Sequence, residues 1–212
     1  MAKGWKSLQR GIPRLVWMIA VLIPMSLSPP ALAAAPQARV REILAAVSAV
    51  FNDPQLQGVA QAAERKRRVR QIIFDAFDFE EMARIVLAPH WARLTPEQRA
   101  EFVRLFGDLF ERSYNRLVLR FLPERDTVYG TESIEQERAM VQTTLLARKT
   151  FEQLPVDYWL ILKGQRWAVF DVVVDGISLA HNYRAQFDWI IRSSSYETLL
   201  QRMKGKLEQD GS

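Results

Sequence analysis

The chain contains no cysteine. That excludes a disulfide framework, a thiol nucleophile and a thiolate metal site together. Histidine is nearly absent too: only His90 and His181 occur, and neither belongs to a His-Glu-x-x-His motif or has a second histidine nearby. A histidine metal centre is not supported at either position. The glycine-containing fingerprints of serine hydrolases, P-loops and dinucleotide-binding domains are missing as well. No internal repeat, low-complexity tract or interdomain linker interrupts the sequence.

What is present begins with a leader. Lys3, Lys6, Arg10 and Arg14 form a basic start without acidic residues, and a mainly apolar run follows from Leu15 to Leu27, with Pro24 near its end. Ser28-Pro29-Pro30-Ala31-Leu32-Ala33-Ala34-Ala35 then supplies the small residues of a signal-peptidase site. Charged, apolar and small segments in that order read as a secretory signal peptide. The apolar run spans about 13 residues, short of the ~20 that a spanning helix needs. Cleavage after Ala33 is expected, since cutting after Ala35 would put Pro36 beside the scissile bond. Residues 34–212 are then one domain of 179 residues, long enough for a sizeable core. A cysteine-free exported domain of this size fits a periplasm, and no later apolar run reaches the ~18 residues of a membrane helix.

The leader also carries most of the charge. The whole chain is +5, the leader holds four of those charges, and about +1 remains. The basic isoelectric point is thus no argument for nucleic acid as a partner. One cluster stays behind, Arg65-Lys66-Arg67-Arg68 with Arg70. On a helix these five spread around much of the circumference, the pattern of a solvated surface; a docking patch for lipid headgroups or an acidic partner is the alternative.

Periodicity divides the domain into a helical part and a sheet part. Apolar residues at 40, 43, 44, 47, 50 and 51 follow helical spacing until Asn52-Asp53-Pro54. A second helix is expected over 59–77, and a third after Asp78, carrying Phe79, Met82, Ile85 and Val86 on one side. Thr95-Pro96-Glu97-Gln98 is a capping box with proline in the first turn. The helix it starts runs to about Phe121, with an apolar stripe close to half its circumference, broader than one neighbour requires. Residues 126–133, 138–147, 155–163 and 166–175 read as strands, with Lys163-Gly164-Gln165-Arg166 as a tight hairpin. Val156, Tyr158, Leu160 and Leu162 share one face of the third. The fourth, apolar on both faces except for Asp171, reads as a central strand. Helices near 178–191 and 195–208 complete an α+β domain: N-terminal helices on a curved antiparallel sheet of about four strands, then C-terminal helices.

Catalysis has one weak foothold. Burial of Asp171 in an apolar strand could raise its pKa and make it a general base. No second acid or base stands beside it in the sequence, so a pairing or capping role is the plainer reading. Trp91, Trp159, Trp167 and Trp189 add to an apolar excess that ordinary core packing also accounts for.

Several segments resemble the MlaC family of toluene-tolerance, phospholipid-binding proteins. They include Phe77-Asp78-Phe79-Glu80-Glu81-Met82-Ala83-Arg84 and His90-Trp91-x-x-Leu94-Thr95-Pro96-Glu97-Gln98-Arg99-x-x-Phe102. Pro155-Val156-Asp157-Tyr158 and Trp167-x-Val169-x-Asp171-Val172 continue the likeness. Asp175-Gly176-Ile177-Ser178-Leu179 and Asn182-Tyr183-Arg184-x-Gln186-Phe187 complete it over about residues 40–205. Trp159 departs from it, where family members often carry a basic residue, and His181 falls at a variable position.

The resemblance implies a periplasmic shuttle that buries glycerophospholipid tails in an apolar cavity between helices and sheet, with neither enzymatic activity nor a cofactor. It implies exchange with an outer-membrane lipoprotein–porin complex on one side. On the other it implies an inner-membrane ABC transporter reached through its substrate-binding ring protein, in the service of outer-membrane lipid asymmetry. With the sheet face and the long helix as walls, periodicity nominates Met82, Leu109, Tyr114, Val141, Tyr158, Val169 and Val173 as lipid contacts; core packing is the alternative for each. Two other classes stay open on the residues alone: an enzyme on a cone-shaped α+β fold using Asp171 or His90, and a periplasmic adaptor or chaperone with an apolar groove.

Overall fold

The computed structural model describes residues 35–122 and 124–209, with the backbone alone for 114–121; the expected leader lies outside the described residues. Helices α1 (Pro36–Asn52), α2 (Ala62–Ala76), α3 (Phe79–Leu87) and α4 (Pro96–Phe121) precede the sheet. Strands β1 (Arg125–Glu135), β2 (Arg138–Ala147), β3 (Gln153–Lys163), β4 (Arg166–Val174) and the two-residue β5 (Ile177–Ser178) follow, and α5 (Leu179–Ser193) and α6 (Tyr196–Gln209) close the chain. The sheet is an antiparallel meander in the order β1-β2-β3-β4-β5. This is the mixed helix-and-sheet architecture expected from the sequence, with a short fifth strand added.

Local chemistry sets the helix starts. The Asp78 carboxylate accepts from Glu81 N at 2.9 Å and begins α3. At α4 the capping box is reciprocal: Thr95 Oγ1 accepts from Gln98 N at 3.3 Å, and Gln98 Oε1 accepts from Thr95 N at 2.9 Å. Such pairing satisfies two backbone donors that the helix cannot. The Lys163–Arg166 hairpin turns at Gly164 with φ 64°, a left-handed conformation in which glycine carries no Cβ penalty. Residues 59–61, expected as the first turn of the second helix, instead form a separate 3₁₀ turn after Gly58, whose φ is 82°.

The place of β4 differs from the expectation. It lies next to the end of the sheet, not at its centre. Its outer edge is nevertheless covered, because β5 pairs with Val173 and Val174 and Phe77 forms a parallel bridge with Val169. Asp78 N donates to Val169 O at 2.8 Å, which fastens the start of α3 to this edge. A short partner and a bridging segment leave little edge open to pairing with another chain, and α3 and α5 both pack against the strand. Contact with both helices adds to the burial of its apolar residues.

Phe170 is an extra residue in β4. Trp159 pairs with Asp171 and Leu160 with Val169, so Phe170 has no opposite number in β3. A β-bulge of this kind shifts the strand's alternation by one residue. Beyond it Val172 and Val174 face the same way as Tyr158 and Val156, while Asp171 and Val173 face the other way.

The helices pack through an aromatic seam. Phe102, Phe106 and Phe110 recur every four residues along α4 and are almost fully buried. Phe106 meets Tyr183 and Phe187 of α5 edge-on, with ring centroids 5.3 and 6.1 Å apart. Phe110 meets Phe77 at 5.3 Å and Phe79 at 5.8 Å. Edge-to-face pairs add roughly 0.5–1.5 kcal/mol each beyond area burial. Gly107 lets Phe74 and Phe79 approach α4, since an added Cβ would stand 3.2 Å from the Phe74 ring. The broad stripe on α4 therefore serves several helical neighbours.

The basic cluster on α2 is largely engaged within the fold. Arg67 and Arg68 bind Glu64, whose carboxyl they hold down to about 2; Arg65 donates to Leu56 O at 2.6 Å. Arg70 reaches α4, where it pairs with Asp108 at 2.5 Å and with the buried Glu111 at 3.0 Å.

Asp171 is held by three donors: Val172 N at 2.8 Å, Ala180 N at 3.0 Å and the Ser178 hydroxyl. Asp171→Ala is expected to cost about 3 kcal/mol by stranding buried donors. Thr95→Ala, which removes one exposed cap, is expected to cost about 1 kcal/mol. Urea denaturation of the two variants checks that ranking.

Candidate functional site: an apolar cavity between helices and sheet

A cavity of about 520 Å³ opens between the first two helices and the inner face of the sheet. That size lies within the ~300–1,000 Å³ common for small-molecule sites. Ile43, Leu44 and Val47 of α1 and Ile73 of α2 form one wall, and Val156, Tyr158, Val172 and Val174 form the opposite one. Phe77, Phe110 and Leu179 also line it. The period of α1 explains its wall, since residues 43, 44 and 47 lie on one helical face. The charged lining residues, Arg125 and Glu152, belong to the start of β1 and the loop between β2 and β3. The β2–β3 register sets the depth: Gln153 and Tyr158 are five residues apart on β3, or roughly 17 Å.

Tyr158 brings the one hydroxyl into this lining. The side chain is nine-tenths buried, and its hydroxyl has no hydrogen-bond partner among the described residues. Burial pushes the phenol well above its ordinary pKa, with a smaller upward contribution from Tyr129. No proton-transfer partner adjoins it among the described residues. Over most of its area the surface offers dispersion contact with apolar side chains.

The nominated contacts separate into three groups. Tyr158 lines the cavity. Met82, Leu109, Val141 and Val169 are buried in the adjoining core but are not part of the lining. Tyr114 lies outside the described side chains. Val173 corrects the expectation: the Phe170 bulge turns it to the opposite face, where it lines a separate groove with Trp159, Phe170 and Arg138. Leu109 packs within the helical layer, and of the described α4 side chains Phe110 alone reaches the cavity. The α1 residues were not nominated, although their spacing was legible; nothing in the sequence said which helical face would be left without a packing partner.

The remaining candidates have structural roles. Asp171 ties β4 to the start of α5 through the contacts given above. Ser178 Oγ also accepts from His181 N at 3.1 Å, capping α5, and lies 2.9 Å from His181 Nδ1. His90 Nε2 stands 2.7 Å from Asp188, and this contact, with Arg192 adding to it, holds the Asp188 carboxyl below its usual range. No group of three or more potential metal-ligating residues occurs among the described residues. Trp91 and Trp167 are buried, Trp159 and Trp189 are exposed, and none of the four lines the cavity. Trp159 lies on the outer face of the sheet. No described helix is long and apolar enough to cross a membrane.

Fold and cavity together define an α+β domain with a largely apolar cavity between helices and sheet, whose described charged residues, Arg125 and Glu152, stand at one end. The chain belongs to the MlaC family, whose family model, described as MlaC protein, matches residues 41–205. A similar solved structure is the phospholipid-binding protein from Ralstonia solanacearum, determined in complex with a phospholipid. It aligns with a TM-score of 0.72 at 23% identity, covering 84% of this chain and 100% of that one, and so shares its fold. No curated protein matches the chain.

Tyr158→Phe removes a buried hydroxyl that has no partner among the described residues. It is expected to stabilise the lipid-free protein by about 1 kcal/mol at neutral pH. The sign with pH is fixed: the folded state holds the phenolic proton more tightly than the unfolded chain, so stability falls as pH rises above about 10. The variant should lose that alkaline decline. Urea midpoints at neutral and alkaline pH measure both effects.

Proposed function

We propose that this protein is a periplasmic phospholipid carrier, exported by residues 1–33 and folded as a single domain over 34–212. It holds glycerophospholipid acyl chains in the cavity and moves them between the outer and inner membranes, maintaining outer-membrane lipid asymmetry. The observation that carries this reading is the apolar cavity itself, whose charged lining residues among the described ones, Arg125 and Glu152, stand at one end. Membership of the MlaC family supports it, as does the phospholipid in the Ralstonia relative. The chains lie against Ile43, Leu44, Val156, Tyr158, Val172 and Val174, and the headgroup stays at the end where Arg125 and Glu152 stand. Lipid is exchanged with an outer-membrane lipoprotein–porin complex and with an inner-membrane ABC transporter through its ring protein.

The energetics explain why such a protein needs no catalytic group. Two acyl chains contain on the order of 30 methylenes, each worth ~0.8 kcal/mol of burial, so a bare lipid crossing water would expose roughly 20 kcal/mol. A carrier lowers that barrier by offering an interior about as dry as the bilayer. No bond is made or broken, and the protein is not an enzyme.

Protein exported to a periplasm and purified without detergent is expected to contain about one diacyl phospholipid per chain, chemically unaltered, after solvent extraction and mass spectrometry. An empty protein that also fails to take lipid from vesicles refutes the reading. Val172→Glu would put a charge against the apolar lining and is expected to reduce retained lipid at least about tenfold. Val173→Ser, one residue away on the opposite face, is expected to leave it unchanged.

A further inference from the structure

Arg125 is the one cation among the described residues lining the cavity. As the first residue of β1 it pairs with Ala147, the last of β2. Its side chain is 12% exposed, so a guanidinium is held largely out of water at the border of an apolar space. Nη1 donates to Glu152 O at 3.3 Å and to Leu145 O at 3.5 Å, two backbone carbonyls that fix where the group sits. Its neighbouring carboxylate is a loose one: Glu152 Oε2 stands 3.7 Å from Nη2, on a side chain that is 71% exposed. Charge-assisted hydrogen bonds of this type are ordinarily about 2.7–2.9 Å long. Glu152 is mostly exposed and distant, so its hold on the guanidinium is weakened by solvent screening.

We infer that Arg125 is a phosphate-binding residue at the cavity mouth, with Glu152 as the counter-ion that a phospholipid's phosphodiester displaces on loading. The inference rests on the carrier reading and names the part of the ligand this end of the cavity selects. A guanidinium presents paired N–H donors that match two phosphate oxygens, and it keeps its charge at any relevant pH. The register places Arg125 six residues from Tyr158 along β2, roughly 20 Å at the rise of an extended strand. A ligand phosphate at Arg125 therefore leaves the length of the apolar lining to its acyl chains. Arg125 discriminates among lipids by the presence of the phosphate; the part of the headgroup beyond it projects into water and is read weakly.

The test uses the exported protein, residues 34–212, stripped of lipid and offered dioleoyl-phosphatidylglycerol or dioleoylglycerol, which share their tails and differ in the phosphate. Arg125→Gln is expected to weaken phosphatidylglycerol binding roughly tenfold or more while leaving dioleoylglycerol binding unchanged. Glu152→Gln is expected to strengthen phosphatidylglycerol binding a few-fold, with no effect on dioleoylglycerol. An equal loss on both lipids, or no loss on either, overturns the role of Arg125 and leaves the carrier reading intact. Should Arg125→Gln fail to fold, Glu152→Gln decides alone, and an unchanged affinity for phosphatidylglycerol overturns the displacement. Inorganic phosphate that stabilised the native protein as much as phosphatidylglycerol does, through Arg125, would mark a free-anion site and overturn the assignment to a lipid. If the native protein takes up neither lipid, it is the carrier reading that fails.

Discussion

The bulge at Phe170 is the constraint on which the rest of the architecture turns. One unpaired residue in β4 exchanges the faces of everything beyond it. Val172 and Val174 come to the cavity, whereas Asp171 and Val173 go to the outer side. On that side the Asp171 carboxylate collects Val172 N, Ala180 N and the Ser178 hydroxyl. The chain is thereby turned from the sheet into α5, whose Tyr183 and Phe187 complete the aromatic seam. With strict alternation, Asp171 would face the cavity and the start of α5 would lose its anchor. A buried carboxylate here is the fixed point of a turn, and its partners occupy the oxygens a general base would need.

The cavity exists because the cohesive packing is done elsewhere. Phe102 and Phe106 pack on α5, and Phe110 on Phe77 and α3, so the helical layer is held together largely without calling on the inner face of β3 and the end of β4. Helix α1 rests on the sheet through its first turns, where Gln37 reaches Gly130 and Glu132 and Arg39 reaches Trp167 O. Farther along, Ile43, Leu44 and Val47 stand over a gap. Apolar walls that do not meet lose dispersion contacts, and a guest with hydrocarbon chains restores them. The seam that holds the helices and the walls that enclose the cavity thus draw largely on different parts of one continuous core.

Much of this was legible in the sequence. The Thr95–Gln98 box, the Asp78 cap and the Gly164 hairpin are local devices whose chemistry operates within a few residues, and the structure uses them as read. Strand β2 spans 138–147 as the alternation indicated. The family motifs fixed the fold class, because their order and spacing extend over nearly the whole domain. The site was less readable. Alternation places Tyr158 on the inner face of β3, where it lines the cavity. Val173 was misplaced by the same rule, because a bulge carries no local signal in a run of valines. Leu109 was nominated from the breadth of the α4 stripe, but breadth does not distinguish a neighbouring helix from an empty space.

The amino-acid sequence by itself determined the helical and extended segments, their caps, the absence of thiol and histidine chemistry, and the family. These depend on backbone preference, short-range hydrogen bonding and motif order, all of which act along the chain. Only the tertiary structure decided which apolar faces close on one another and which remain apart. It also decided that Val172 rather than Val173 looks inward, and that Arg125 stands at the end of the cavity. Those outcomes depend on register and on the mutual fit of distant elements. A cavity is a failure of surfaces to meet, which no single segment of sequence records.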